Sequence, residues 1–310
     1  MTDKKLLGAL FAVTGGICWG FSGCCGQYLF TNNEVDSKWL TVVRMLASGA
    51  ALLVFCLFRY RAEMKALFND RRDVIRVILY SVFGLMLCQY SYLTAIEYTN
   101  AATATVIQYT GPVMVVAVVC ALERRLPRLY ELLCIALAVG GTFLIATHGD
   151  IHTLQISGAG LFWCIIAAIS LVCYTMLLGD TVNRRPVLVC NAIGFTLGGA
   201  VLAVIVGFWR YRVSLDLAGV LAVAGIVFFG TIVGFSLYMQ GVAYIGPAKA
   251  SMISTIETVS SAVIAHFWLG TQFAPADLIG FVFIVSTVFI LARQRKADGG
   301  KDEAHSGNAE

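Results

Sequence analysis

Glu257 stands inside the apolar stretch SMISTIETVSSAVIAHFWLG, residues 251–270. It lies about ten residues from either end of a spanning segment, and at about 1.5 Å rise per residue that puts it near the middle of a bilayer. A charged side chain at that depth costs roughly 2.5–3.5 kcal/mol on insertion scales. The cost falls where the carboxylate faces a polar cavity. There it can hold a cationic or ammonium group, or take up a proton and couple it to transport. The alternative is a protonated or hydrogen-bonded glutamate that locks helices together. Ser254 and Ser261 share its face at helical spacing. A second polar face runs through Thr105, Gln108, Tyr109 and Pro112, at i, i+3, i+4 and i+7, with Pro112 as a hinge because it removes a backbone hydrogen bond.

Tyr92, Tyr238, Gln89, Trp19 and Tyr174 extend the candidate substrate-binding set, since aromatic rings with polar tips suit a metabolite cavity. Helix packing and interhelical hydrogen bonding are the competing reading for each. Arg44 lies near the outer end of its span and is expected to snorkel outward in a structural role, with a contact to a substrate carboxylate left open. His266 reads as a packing histidine. His148 and His152 are four apart in a loop, too few ligands for a metal. No metal, cofactor or catalytic residue is expected: phosphate loops, Ser/His/Asp sets and ATPase motifs are absent from the sequence. The chain therefore does not read as an enzyme, and ATP bound to it is not its energy source. Gly16 and Gly20 form a GxxxG, a spacing that allows close helix approach.

These residues must be held by membrane-spanning helices. The 310 residues are 59% hydrophobic and 13% charged, with a mean hydropathy of +0.81. A soluble domain is typically about one quarter charged. Ten apolar runs of spanning length occur, at about 6–30, 37–59, 74–96, 101–122, 129–147, 157–179, 187–208, 217–240, 247–269 and 275–293. They are too long and too uniformly apolar for barrel strands, which alternate. The first run is expected to remain as an uncleaved helix. The ten cysteines lie in apolar segments without CxxC spacing and read as small buried hydrophobes.

With the N-terminus inside, 18 of the 22 Lys and Arg fall in inside segments; Lys38, Arg210 and Arg212 fall outside, and Arg44 falls within a span. The positive-inside rule then places both termini in the cytoplasm. The small net charge of +4 is scattered over short loops, which argues against a nucleic-acid partner. The partners expected are the lipid bilayer and a small-molecule substrate, with the protein a monomer or a homodimer.

A shift of 146 residues aligns the segment from Gly84 with that from Gly230 without a gap, pairing Tyr92 with Tyr238 and Tyr98 with Tyr244. Later in the same register Glu131 meets Asp277. The fold class this implies is an all-α polytopic membrane protein of ten transmembrane helices, in two five-helix repeats. An odd-numbered unit enters the membrane inverted the second time, as in many secondary transporters. The expected organisation is a first repeat at 1–147, an external linker at 148–156, a second repeat at 157–296 and a disordered cytoplasmic tail at 297–310.

Ten helices in two repeats, Trp19 in the first helix, Arg44 in the second, the QYTGPV turn in the fourth and the LERRLP exit after it resemble EamA-type transporters of the drug/metabolite transporter superfamily. The likeness covers about 290 residues, all but the tail. It implies a carrier of the bacterial cytoplasmic (inner) membrane, usually an exporter of amino acids or other small metabolites, working by alternating access. An efflux protein for lipophilic cations or drugs, or a facilitator without ion coupling, is the alternative. A membrane-embedded enzyme or signalling protein has the least support. The chain departs from the family where Thr258, rather than proline, follows Glu257, so helix nine is expected to kink less than helix four.

Overall fold

The computed structural model describes residues 2–98, 104, 107–153, 157–270, 272 and 274–306. The chain is an all-α polytopic membrane protein with no strand among the described residues. Eight of the helices in this part are long and apolar enough to cross a membrane, and two further apolar helices, Gly111–Leu122 and Pro275–Ile290, are shorter. Large side chains such as Phe58, Leu126 and Phe267 point outward. An apolar exterior is the face that lipid would cover.

In chain order the helices of the bundle are α1 (Thr2–Asn32), α2 (Ser37–Arg59), α3 (Arg71–Leu79 continued through Tyr80–Met86 and Leu87–Tyr98), the shorter α4 (Gly111–Leu122), α5 (Leu129–Thr147), α6 (Gly158–Met176), α7 (Val187–Val206), α8 (Leu217–Ile245), α9 (Pro247–Leu269) and α10 (Pro275–Ser306). α10 stays helical past residue 296, where the sequence predicts a disordered tail. Extending an existing helix needs no new nucleus.

Short polar side chains set the helix starts. Asp36 Oδ1 accepts the Lys38 backbone N–H at 2.7 Å, Asp70 Oδ1 that of Arg72 at 2.9 Å, Ser157 Oγ that of Gly160 at 3.0 Å, and Asp216 Oδ1 that of Gly219 at 2.8 Å. Each satisfies a donor that the first turn leaves open. The exposed Asp216 carboxyl is held below the usual carboxylate range, first by Asn33 and then by this capped N–H. Asp70 and Asp216 are 146 residues apart, the self-alignment offset of the sequence. The same offset separates the starts of two π-helical segments, Tyr80–Met86 in α3 and Ile226–Val233 in α8.

Helix packing follows a regular scheme. α1 packs on α8 and α9, α6 on α3 and α4, α2 on α7, α4 on α9 and α5 on α10. Replacing every helix by the one five places along maps these pairs onto themselves. α5 and α10 cross at Gly141 and Gly280, where a Cβ on either glycine would come within 2.8 Å of the other's carbonyl oxygen. At one end of the bundle the fully buried Asp73 of α3 accepts hydrogen bonds from Thr181 Oγ1, Arg184 Nη2 and Arg185 Nε, each at 2.8 Å. That network fastens α3 to the loop between α6 and α7. Elsewhere His148, which ends α5 in a left-handed conformation, pairs with the buried Asp277 of α10 at 2.9 Å.

Candidate functional site

Two of the helices are interrupted where the polar faces lie. In α9, helical residues stop at Ile253 and restart at Ile256, with a turn at residues 254–255. Before α4, residues 107–108 are helical, residues 109–110 form a turn, and a new helical segment opens at Gly111. Pro112 occupies the first turn of that segment, where a missing N–H costs nothing. It thus starts a helix rather than bending one.

α9 is thus interrupted like α4, although Thr258 rather than proline follows Glu257. No proline is needed, because hydroxyl side chains take over the carbonyls. Ser251 Oγ donates to Ala248 O, Ser254 Oγ to Ser251 O, and Thr255 Oγ1 to Met252 O, at 3.0, 2.9 and 2.7 Å. Ser and Thr compete in this way with the helix's own ladder. The Thr110 hydroxyl does the same to Ile107 O at 2.7 Å.

The two breaks face each other. The Tyr109 hydroxyl donates to Glu257 Oε2 at 3.2 Å, joining the turn before α4 to the first turn of the second half of α9. Glu257, Tyr109 and Gln108 are all half-buried, and Ser254 is buried. α1 closes over this point. A Cβ at Gly16 would meet Ser254 O at 3.0 Å, and one at Gly20 would meet Glu257 O at 2.9 Å. The GxxxG thus brings the α1 backbone onto the break in α9. Cys24, one turn further along, donates to Ser261 O at 3.3 Å.

The remaining predicted residues fall in two groups. Trp19, Tyr174 and Tyr238 form one aromatic cluster with Phe235 and Tyr80; the Trp19–Tyr238 and Tyr174–Tyr238 ring centroids are 5.0 and 5.5 Å apart. Tyr238 exchanges a hydrogen bond with Thr175 at 3.2 Å. Gln89 is buried in α3. Tyr92 lies in a small cluster with Ala95, Ala104 and Cys164 and within reach of Tyr109. Thr105 lies outside the described residues.

Buried polar atoms without a hydrogen-bond partner include Trp19 Nε1, Arg44 Nε, Gln89 Nε2 and the Tyr174 hydroxyl. A buried polar group is ordinarily paired, so each such atom asks for a ligand or water. Arg44 departs from the sequence expectation. Its Nε is buried without a hydrogen-bond partner, rather than the side chain being spent on the membrane surface. Spacing could not reveal this, because only packing fixes which way α2 turns Arg44. The α9 break did have a signal, the hydroxyl run Ser251, Ser254, Thr255.

Interrupted helices meeting at ionisable and hydroxyl groups inside an apolar bundle define a class of membrane transporter. The sequence matches the EamA-like transporter family twice, over residues 6–147 and over residues 158–293, and the chain belongs to that family. It is 33% identical over 291 residues to an uncharacterized inner membrane transporter, YicL, of Salmonella typhimurium, covering 94% of this chain and 96% of that one. An uncharacterized transporter, YwfM, of Bacillus subtilis is 21% identical over 305 residues, covering 96% and 97%. A solved structure titled "Crystal structure of protein" superposes with a TM-score of 0.78 at 16% identity over 94% of this chain and 98% of its own, a likeness of fold alone.

Proposed function

We propose that the chain is a secondary transporter that exports small metabolites such as amino acids across the cytoplasmic membrane, with Glu257 as the principal charged group of a central site. The observation that carries this reading is the Tyr109–Glu257 hydrogen bond at two facing helix breaks inside an apolar bundle. Broken helices free backbone and side-chain groups for a ligand at the depth where a transporter must bind it. In this reading Gln108, Ser254, Gln89 and Tyr92 help line the site, and Trp19, Tyr174 and Tyr238 bound it.

The mechanism is alternating access between two inverted five-helix halves, 1–147 and 157–296, joined by an external linker at 148–156, with both termini in the cytoplasm. The double family match, the π segments and capping aspartates at one offset, and the self-mapping helix contacts support it. YicL's description as an inner membrane transporter supports the choice of membrane. The half-buried carboxylate would exchange a proton or a substrate cation as the site turns from one face to the other.

A second reading has an observation of its own. The aromatic cluster would attract a lipophilic cation through its ring faces. One experiment tests both. The protein is reconstituted in liposomes, and counterflow of radiolabelled amino acids and of tetraphenylphosphonium is measured for wild type and Glu257→Gln. Amino-acid counterflow that the variant loses supports the first reading. Tetraphenylphosphonium flux alone moves the assignment to the second. Unchanged flux and pH dependence in the variant removes Glu257 from the site.

A further inference from the structure

At one end of the bundle, the end of α4 and the loop into α5 face the turn from α8 into α9 across a cavity of about 200 Å³. Glu123, Arg125, Arg128, Tyr130 and Glu131 line it from the first family-matched half, and residues 245–249 line it from the second. Neither Tyr109 nor Glu257 is part of the lining. Gly246, at φ 83°, turns the chain sharply from α8 into α9 and brings Lys249 to the cavity.

The acids of this cavity are already engaged. Arg125 donates from Nη1 and Nη2 to Glu131, each at 2.8 Å, and from Nε to Glu123. The Arg128 backbone N–H also donates to Glu131, at 2.7 Å. The Arg128 side chain donates from Nη1 to the Tyr130 hydroxyl at 3.3 Å, with the guanidinium over the ring. Lys249 comes from the other half, and its ammonium has no ion pair or hydrogen bond among the described residues. Three basic side chains against two engaged carboxylates make the cavity net positive, and Arg124 adds a further charge in the same loop.

Size and surroundings narrow the anion. Pockets that enclose a drug-sized ligand hold about 300–1,000 Å³. This cavity is smaller, yet far larger than one water needs, and so suits a headgroup. Leu122, Leu126 and Leu129 alternate along the chain with the charged lining residues and are 71%, 86% and 84% exposed. Basic pockets between membrane helices hold anionic lipid headgroups, and apolar side chains beside them give the acyl chains a surface. A soluble phosphate would use the bases and leave the leucines uncovered. The charge bias of the sequence sets this end at the cytoplasmic leaflet.

We propose that this cavity binds the phosphate of an anionic phospholipid headgroup, with Lys249 and Arg128 as donors and Leu122, Leu126 and Leu129 against its chains. A lipid held there touches both halves of the protein, whichever solute the central site carries.

The test is thermal stabilisation of the full-length protein, purified in non-ionic detergent and washed free of lipid. It is titrated with dihexanoyl phosphatidylglycerol, with the matched phosphatidylcholine and with inorganic phosphate. A ligand that binds only the folded state raises stability by RT ln(1 + [L]/Kd), so apparent Kd follows from the titration. Phosphatidylglycerol is expected to bind more tightly than either of the others, and less tightly as salt is added. Lys249→Gln and Arg128→Gln are each expected to raise its Kd about fivefold, the loss of one basic side chain at a lipid surface. Either variant serves if the other does not fold. Lys65→Gln removes an exposed charge from the helix Arg61–Asn69, outside the cavity, and is expected to leave Kd unchanged.

Equal binding of the two lipids overturns the proposal, as does the absence of stabilisation by any of the three. Inorganic phosphate binding as tightly as phosphatidylglycerol overturns the lipid assignment and makes the cavity a soluble-anion site. An equal loss in Lys65→Gln also overturns it, since diffuse surface charge would do that.

Discussion

Replacing Gly20 by alanine adds one methyl group at the tightest approach of α1 to the candidate site. The added Cβ would lie 2.7 Å from Ser261 N and 2.9 Å from Glu257 O, with Ser260 Oγ closer still. Ordinary contact begins at about 3.5 Å between heavy atoms, so α1 and α9 must part by roughly half an ångström or more. Two of the three obstacles are backbone atoms of a packed helix, which a rotamer change cannot move. Overpacking of this kind costs typically 1–3 kcal/mol. Alanine returns about 0.5–1 kcal/mol through its better helix propensity. The net expectation is a loss of about 1–2 kcal/mol, or a fall in melting temperature of a few degrees. The strain falls on the turn that carries Glu257, so the ligand response should weaken as well.

Gly26→Ala is the matched control on the same helix, because a Cβ there meets nothing within 4 Å. It should be neutral or slightly stabilising. Thermal unfolding in detergent, with and without a transported substrate, measures both effects. If Gly20→Ala melts with or above Gly26→Ala and binds ligand as wild type does, the close approach of α1 to the α9 break is refuted.

Two further substitutions probe separate parts of the structure. Tyr109→Phe keeps the ring and removes the 3.2 Å hydrogen bond to Glu257; a bond to a charged group is worth about 1.5–3 kcal/mol, so the ligand-free protein should melt a few degrees lower, and apparent ligand affinity should fall as well. An unchanged Kd would mean that Tyr109 does not position the carboxylate. Asp73→Asn keeps the size of a fully buried side chain but removes the charge facing Arg184 and Arg185. Breaking a fully buried pair costs about 3–5 kcal/mol, and because the two arginines keep solvent contact the expected loss is nearer 2 kcal/mol. It should appear in thermal unfolding of the ligand-free protein and leave ligand Kd unaltered. A melting temperature equal to wild type would show that the α3 network carries no stability.

Much of the architecture was open to a reader of the sequence. Apolar runs long enough to span fix helices, because a backbone in lipid must satisfy its own hydrogen bonds. The predicted runs 37–59, 129–147 and 247–269 coincide with α2, α5 and α9 to the residue. Asp36, Asp70, Ser157 and Asp216 mark helix starts because their short side chains reach the open N–H groups. Glu257 stood out as soon as its depth was counted, since charge in that position is costly unless it faces a polar cavity.

Other features depend on what packs against what. Proline is the familiar signal of a broken helix, yet α9 breaks through Ser251, Ser254 and Thr255, whose hydroxyls compete for carbonyls only in a context that tolerates the turn. Gly16 and Gly20 permit a close approach, but the sequence does not say that the approach is to the turn bearing Glu257. Arg44 sits near a helix end, where a long side chain has two routes, outward to the interface or inward to the bundle. Length and composition allow both. The rotation of α2 about its axis, set by its packing on α7, leaves Arg44 Nε buried in the bundle rather than at its surface. The sequence by itself determined that the chain lives in a membrane as helices and carries a costly carboxylate, since both follow from local transfer energies. The tertiary structure alone decided which groups meet that carboxylate, because contacts between residues far apart in sequence exist only once the helices are packed.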